Sequence, residues 1–222
     1  MKYLNALNKI SGVGSQKIRL LLDQFEIPER IWQADLASLK KTLPGEKLAE
    51  KIFFAKKDID PNEEWEKLEK ENISVIKLGD KNYPQLLAKI HNPPFLLYKK
   101  GPLDLNSAPL ISLVGSRTHS AYGAQVAHNF AKELSGAGFI IVSGMAMGID
   151  TLSHKGALSA NGKTVAVLGN SLDQENIYPK INFRLSQEIS TTGALLSEYP
   201  PEMPAGPMTF PARNRIVAGM TL

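Results

Sequence analysis

Two stretches decide the fold: LISLVGSRTHSAYG at residues 110–123 and GFIIVSGMAMGID at residues 138–150. Each carries a short apolar run that stops at glycine and a small polar residue. Runs of this length suit strands buried on both faces of a parallel sheet. Between them lies a segment, 121–136, with apolar residues at helical spacing, which are Val126, Phe130 and Leu134. The order predicts a βαβ unit.

The pattern continues outward from this unit. Further short apolar runs predict strands near residues 73–78, 95–98, 164–168 and 194–197, with helices at 151–160 and 181–190. We therefore expect an α/β fold, Rossmann-like, with a mostly parallel, doubly wound sheet. Four parallel strands and an unfinished final helix make only part of such a sheet. This predicts a domain that is incomplete at its C-terminal end.

The first 70 residues have a helical pattern throughout. Gly12, Val13 and Gly14 separate two helical patterns, which is typical of a helix-hairpin-helix turn. The glycines of such a turn leave backbone N–H groups free to face a phosphate. Two interpretations stay open: a DNA contact, or a corner in a small helical bundle. We predict a small helical domain at residues 1–70, which the family resemblance described below implies to be SAM-like, and a Rossmann-like domain at 71–222.

Composition narrows the possible classes of protein. The chain has 43% hydrophobic and 22% charged residues, which is typical of a folded soluble protein. It has no run long enough to span a bilayer, no secretory pattern and no cysteine, so we expect a cytoplasmic protein without membrane contact. The net charge of +4 does not by itself establish nucleic-acid binding.

The two glycine-rich turns are expected to lie together at the carboxyl edge of the sheet, where ligands bind. The first turn offers Gly115, Ser116 and Arg117, and a guanidinium fork suits two phosphate oxygens. The second turn precedes a helix N-terminus, which attracts anions. Its candidate residues are Ser143, Gly144, Met145 and Gly148.

A third candidate segment, Phe210-Pro-Ala-Arg-Asn-Arg215, ends a proline-rich loop and is expected to be exposed, with a helix opening at Arg213. An aromatic ring beside Arg213, Asn214 and Arg215 suits single-stranded nucleic acid, because bases stack on rings and phosphates meet guanidinium groups. The alternative interpretation is that Phe210 covers the sheet edge and the arginines bind carbonyl groups.

No pattern indicates a cofactor or a metal ion. Neither glycine turn is GxGxxG, and the sequence has no Walker lysine motif, nucleophile elbow or HExxH. Asp150 and His154 lie four residues apart on one helical face and form a conceivable acid–base pair. Asp150 is also well placed as a helix cap. We therefore expect a non-enzymatic protein.

The ordered motifs closely resemble the DNA-processing protein A (DprA/Smf) family. They are GSR at 115–117, YG at 122–123, SGMAMGID at 143–150 with His154, the run 165–169, YP at 178–179, Asn182, LLSEYP at 195–200 and FPARNRIVAG at 210–219. The resemblance covers about residue 73 to the last residue. No single motif is decisive, but their order and spacing are specific.

The resemblance implies a modified Rossmann fold that binds single-stranded DNA and helps to load a RecA-type recombinase in natural transformation. It implies that Arg117 and residues 210–215 line a basic DNA pocket, with residues 143–148 as its floor. It also implies a homodimer, formed through contacts that lie largely beyond the position of Leu222.

Two rival functions are considered. A nucleotide phosphoribohydrolase of the Lonely-Guy type also has glycine-rich phosphate loops, but it needs a carboxylate against the glycosidic bond, and Asp150 is the acid available in these loops. A structural protein that docks partners through its helical bundle would show no affinity for DNA.

Overall fold

A computed structural model describes residues 1–221. Six α-helices come first in these residues, three strands follow, and α-helices and strands then alternate from residue 121 onward. The helices are α1 Lys2–Lys9, α2 Ser15–Phe25, α3 Pro28–Gln33, α4 Leu36–Thr42, α5 Glu46–Ala55, α6 Pro61–Lys70, α7 Ala121–Gly136, α8 Ile149–Ser159, α9 Phe183–Thr192 and α10 Thr209–Gly219. The strands are β1 Ile73–Lys77, β2 Leu96–Lys100, β3 Leu110–Ser112, β4 Ile140–Ser143, β5 Thr164–Val167 and β6 Ala194–Ser197.

The six strands form one sheet in the order β1-β2-β6-β5-β4-β3. Strands β3 to β6 are parallel and lie in chain order, whereas β1 and β2 pair antiparallel at the other edge. The predicted α/β class with a mostly parallel sheet is confirmed. The carboxyl ends of the four parallel strands meet at one edge, which we call the carboxyl edge.

Alternation along the strands directs side chains to two apolar layers. On one face, Ile141 packs with Ala131 of α7 and Ala157 of α8. On the opposite face, Val142 packs in the same cluster as Ile216 of α10. Helices therefore cover both faces of the sheet, and α10 lies on the face opposite α7 and α8.

Helix α7 has the predicted bounds but turns a different face inward. Its buried residues are Ala131 and Ser135, whereas the ring of Phe130, on the predicted apolar stripe, is 56% exposed. The reason is close packing against α8: a Cβ added to Gly156 would lie 2.8 Å from the Cβ of Ala131. Small residues permit this approach. Of the predicted stripe, Leu134 packs beside the cluster that contains Ala131, whereas Phe130 is left outside.

The six N-terminal helices end at Lys70 and the sheet begins at Ile73, on either side of the predicted boundary. We call residues 1–70 the helical region and residues 71–221 the sheet region. Their apolar cores are continuous, because Phe95 and Leu96 belong to the helical cluster. That the two regions are separate domains stays a prediction.

A buried tyrosine joins the two regions. The hydroxyl of Tyr98, on β2, donates to Oδ1 of Asn5 at 2.9 Å and accepts from Nδ2 of Asn8 at 3.2 Å. Tyr98 is 1% exposed, and burial raises the pKa of its hydroxyl above the ordinary value. The tyrosine is therefore neutral and fully hydrogen-bonded within the interface.

The predicted helix-hairpin-helix turn joins α1 to α2. Gly12 has φ of +96°, which favours glycine, and Val13 is buried in the helical core. The hydroxyl of Ser15 accepts from the N–H of Phe95 at 2.8 Å, so the start of α2 packs against the sheet region. The turn thus has a structural role, and its contact with DNA stays a hypothesis.

Within residues 1–221, no helix is long and apolar enough to cross a membrane. The same residues hold no group of three or more His, Cys, Asp or Glu side chains that could bind a metal ion.

Replacing Tyr98 with phenylalanine removes the hydroxyl that joins the two regions. The buried Oδ1 of Asn5 loses its partner, and the half-buried amide of Asn8 keeps only the carbonyl of Glu198. We therefore expect Tyr98→Phe to lower the free energy of unfolding by about 1–3 kcal/mol. Urea denaturation measures this change. Tyr3→Phe is the matched control, because its hydroxyl bonds Glu29 at the surface and its loss should change stability by less than about 0.5 kcal/mol. Equal effects of the two variants would contradict this account.

Candidate functional site

The two glycine turns at the carboxyl edge pack directly on each other. The N–H of Ile149, at the start of α8, donates to the carbonyl of Ser116 at 3.1 Å. Gly148 has φ of +86°, and a Cβ there would lie 2.6 Å from the carbonyl oxygen of Arg117. Glycine is required at this position by both conformation and space. The contact fixes the backbone from which the Arg117 side chain extends.

Asp150 fills the anion position that the second turn creates. Its Oδ2 accepts from the N–H of Gly144 at 3.1 Å and of Ala146 at 3.3 Å. Burial raises the pKa of this carboxyl, while these N–H groups and the nearby Arg213 guanidinium oppose that shift. Two of the loop amides expected to hold a phosphate, those of Gly144 and Ala146, are thus bonded to a carboxylate of the same chain.

The candidate segment 210–215 is helical throughout, because α10 begins at Thr209, four residues before the expected helix start at Arg213. Proline is tolerated in the first turn of a helix, where its missing N–H has no partner to lose. Phe210 and Arg213 are three residues apart and share one side of α10. Arg215 lies five residues from Phe210, roughly 140° further around the axis, and faces elsewhere.

Arg213 is buried and supports the turns from below. It is 6% exposed, and its Nη1 donates to the carbonyl of Gly144 at 2.7 Å and to the carbonyl of Val167. Burial lowers the pKa of the guanidinium, which the neighbouring Asp150 partly opposes. A Cβ on Gly144 would lie 2.5 Å from Nη2. Its placement therefore differs from the exposed phosphate contact expected from the sequence.

Arg215 forms an ion pair with Glu198, the residue that follows β6. Burial raises the pKa of the Glu198 carboxyl, and the Arg215 guanidinium opposes that shift. The guanidinium is therefore directed at a carboxylate and not at the cavities described below.

Phe210 forms a ring platform at the carboxyl edge. A Cβ on Gly169, just past β5, would lie 2.9 Å from Cδ1 of Phe210, so this glycine lets the ring rest on the backbone. The centroid of the Tyr178 ring lies 5.6 Å from that of Phe210. The guanidinium carbon of Arg117 lies 5.7 Å from the Phe210 centroid, within the range of a cation–π contact.

An open groove of about 740 Å³ runs past this platform. Its lining comprises Arg117, residues 175–178, Lys180, residues 204–207, Phe210 and Pro211; we call it the Phe210 groove. Arg117 and Phe210 also line a cavity of about 460 Å³ that reaches Gly115, Asp150, Arg213 and Asn214.

The predicted site residues differ in their exposure to solvent. Gly115, Ser116, Arg117 and Asn214 are exposed, and Phe210 is half-buried beside them. Gly148 is half-buried in the turn contact described above.

Two further predicted residues are buried away from the groove. The hydroxyl of Ser143 donates to the carbonyl of Leu113 at 2.7 Å and joins β4 to the chain after β3. Met145 is fully buried in the core, and its carbonyl accepts from Asn182 at 2.9 Å. Neither side chain faces the groove, because the turn directs them into the protein.

Tyr178 and Lys180 were not among the candidates named from the sequence, and the structure places both at the candidate site. Both lie after β5 and line the Phe210 groove. The sequence contains a signal for them. The carboxyl ends of parallel strands meet at one edge, and an aromatic and a basic residue follow β5, the third parallel strand.

The conceivable acid–base pair is not formed. His154 is fully buried, and its Nδ1 lies 2.7 Å from the hydroxyl of Thr164, which in turn donates to the carbonyl of Ile141. Burial and the nearby Arg213 lower the pKa of His154 to about 3. The histidine is therefore neutral and held in the core, away from Asp150's bonded carboxylate.

Comparison with known proteins settles the family. Residues 74–222 match the family described as DNA recombination-mediator protein A. The chain belongs to this family. Among solved structures, DNA processing protein A from Streptococcus pneumoniae superposes with a TM-score of 0.79 at 34% identity, covering 100% of this chain and 75% of that one.

A second structure concerns the single-stranded DNA binding mode of DNA processing protein A from Helicobacter pylori. It superposes with a TM-score of 0.60 at 33% identity, over 67% of this chain and 66% of that one. Protein Smf of Synechocystis sp. is 36% identical over 99% of this chain and 56% of its own length. DNA processing protein DprA of Bacillus subtilis is 39% identical over 68% of this chain and 50% of its own. The chain thus spans about half the length of these two relatives.

Replacing Gly148 with alanine should disrupt the contact between the two turns. The added Cβ meets backbone oxygen atoms and the residue must keep a positive φ, so we expect Gly148→Ala to lower the free energy of unfolding by about 1–3 kcal/mol. Urea denaturation provides the measurement. Gly136→Ala is the control, because a Cβ there meets no atom within 4 Å, and it should be neutral or slightly stabilising. An unchanged Gly148→Ala variant would show that the contact is unimportant.

Proposed function

We propose that this protein binds single-stranded DNA in the Phe210 groove, across the carboxyl edge of its parallel strands. The observation that carries the proposal is the arrangement of Arg117 over the Phe210 ring with the Tyr178 ring beside it, all lining one open groove. The family membership and the Helicobacter pylori relative, described as binding single-stranded DNA, support it.

The two rings suit unpaired bases. A base that is not held in a duplex exposes its π-face, and stacking on an aromatic side chain tolerates any sequence. Tyr178 is 46% exposed, so its ring has free surface for such a contact. A base in a duplex is already stacked on its neighbours, so we expect the groove to prefer single strands.

The cations of the groove suit the phosphates between those bases. Arg117 and Lys180 are both exposed, and Lys180 donates one bond to the backbone carbonyl of Glu175, which leaves two of its three donors for a ligand. By contrast, the amides of Gly144 and Ala146 are bonded to Asp150, and Arg213 is buried. We therefore assign direct phosphate contacts to Arg117 and Lys180. Arg213 would act by holding the turns, and Asn214, exposed on α10, would contribute a polar contact.

We propose binding without chemical change. The family is named for DNA processing and recombination mediation. Asp150, the acid that a nucleotide phosphoribohydrolase would need, lines the 460 Å³ cavity, but its Oδ2 accepts two backbone N–H bonds. Proton transfer by this carboxyl would disrupt the turn that Gly144 and Ala146 form.

The wider role follows the family resemblance. We propose that the bound strand is incoming DNA in natural transformation, that the protein protects it in the cytoplasm, and that it helps to load a RecA-type recombinase. A homodimer belongs to the same proposal.

The test of the function compares single-stranded with double-stranded oligonucleotides of equal length in a gel-shift assay at two salt concentrations. We expect binding of the single strand, weaker binding of the duplex and a steep loss of affinity with salt. Release of free base from nucleoside monophosphates, abolished by Asp150→Asn, would instead establish the phosphoribohydrolase. Absence of DNA affinity at low salt would overturn the proposal.

Replacing Arg117 with alanine should weaken binding to unrelated single-stranded sequences alike, because a phosphate contact carries no sequence information. The slope of log affinity against log salt concentration is negative, and it should become shallower by about 0.7, which corresponds to the loss of one phosphate contact. Fluorescence anisotropy with labelled oligonucleotides measures both quantities. Arg30→Ala removes an exposed guanidinium from the helical region and should leave the slope unchanged. A slope preserved in Arg117→Ala would remove this residue from the site.

Replacing Tyr178 with leucine should remove one stacking surface while keeping an apolar side chain. We expect affinity to fall by about 1–3 kcal/mol with an unchanged salt slope, because no phosphate contact is lost. The same anisotropy titration measures both effects. Tyr178→Phe keeps the ring and should bind as tightly as the unsubstituted protein. Equal affinities for the leucine and phenylalanine variants would count against a stacked base.

A further inference from the structure

Four charged side chains connect the helical region to the loop between β6 and α10. Lys9 of α1 contacts Glu64 and lies 2.7 Å from Glu202, and Lys67 of α6 lies 2.8 Å from both glutamates. We call these residues the four-charge cluster. Three of them belong to the helical region, and Glu202 alone belongs to the sheet region.

Glu202 lies where the segments that line the Phe210 groove meet. Residues 204–207, which line the groove, begin two positions after it. Its own N–H donates to Oδ1 of Asp173 at 3.1 Å, and the next carbonyl, of Met203, accepts from Ser171 at 2.9 Å. Asp173 and Ser171 precede residues 175–178, which line the same groove. A shift of Glu202 would therefore be transmitted to both lining segments.

The backbone of Glu202 is held in a disfavoured conformation. Its φ is +70°, in the left-handed region that non-glycine residues rarely adopt. Such a conformation persists when surrounding contacts determine it, and it is frequent near functional sites. Here the surrounding contacts are the two lysines of the helical region and Asp173. The ion pairs thus hold the loop in a shape that its backbone does not favour.

We propose that the helical region positions the Phe210 groove for nucleic acid through Glu202, with Lys9 and Lys67 as the groups that hold it. This inference rests on the proposed function. None of the four side chains lines the groove, so they act on binding through residues 204–207 and not by touching the ligand. The helical region would then contribute to affinity without a DNA contact of its own.

For Glu202→Gln, the proposal predicts a change in affinity opposite to the one that charge alone would give. Removing a carboxylate near a groove that binds a polyanion should strengthen binding if charge alone matters. Glu202→Gln should weaken it, because the amide is uncharged and holds the two ammonium groups less strongly. Glu66→Gln is the matched control: it also removes a carboxylate from an ion pair of α6, with Lys70, but that pair does not contact the loop of Glu202, so affinity should be unchanged.

The experiment titrates a labelled oligothymidine with the unsubstituted chain and both variants by fluorescence anisotropy at several salt concentrations. We expect the dissociation constant of Glu202→Gln to rise about threefold to tenfold, with an unchanged salt slope. Binding by Glu202→Gln as tight as, or tighter than, that of the unsubstituted chain would overturn the proposal while leaving the proposed function intact. Failure of the unsubstituted chain to bind at low salt would overturn both.

Lys67→Met provides a second variant, which keeps the proposal testable if Glu202→Gln does not fold by circular dichroism. A positioning role predicts weaker binding with an unchanged salt slope, since Lys67 contacts no phosphate. A slope lowered by about 0.7 would show a direct phosphate contact and would contradict the positioning role. Unchanged affinity would contradict it as well.

Discussion

The carboxyl edge depends on the carboxylate of Asp150. The N–H groups of Gly144 and Ala146 point into the space at the start of α8, where an external anion would otherwise be favoured. Asp150 occupies that position from within the chain, and Arg213 bonds the carbonyl of Gly144 from the other side. The polar groups of the turn therefore bond to one another within the chain. The residues that this network holds in place form the surface above it.

This network supports the aromatic ring of Phe210, with the exposed guanidinium of Arg117 above it. Phe210 stands one helical turn before Arg213, so the bonds that bury Arg213 also place the ring on Gly169. Arg117 extends from a backbone fixed by Gly148. Burial of Arg213 thus positions the Phe210 ring beneath Arg117. Arg213 has a structural role, whereas the exposed guanidinium of Arg117 is available to a ligand.

The sequence predicted the sheet, the parallel strands and the bounds of α7, because buried strands and capped helices leave local patterns. It did not predict which face of α7 is buried, since that depends on contact with Gly156 of a later helix. From the sequence, Arg213 and Arg215 were both expected to contact phosphate. Once α10 begins at Thr209, helical geometry alone turns these two side chains to different partners. Pro211, in the first turn of α10, made the sequence resemble a loop, so the start of the helix was predicted too late.

We propose that single-stranded DNA lies on the rings of Phe210 and Tyr178 at the carboxyl edge. Photo-crosslinking with an oligonucleotide that contains 5-iodo-deoxyuridine, followed by peptide mass spectrometry, tests it most directly, because the adduct forms on a ring in contact with the base. The account predicts adducts on Tyr178 or Phe210. Adducts confined to residues 1–70, or none under conditions where the strand is bound, would contradict it.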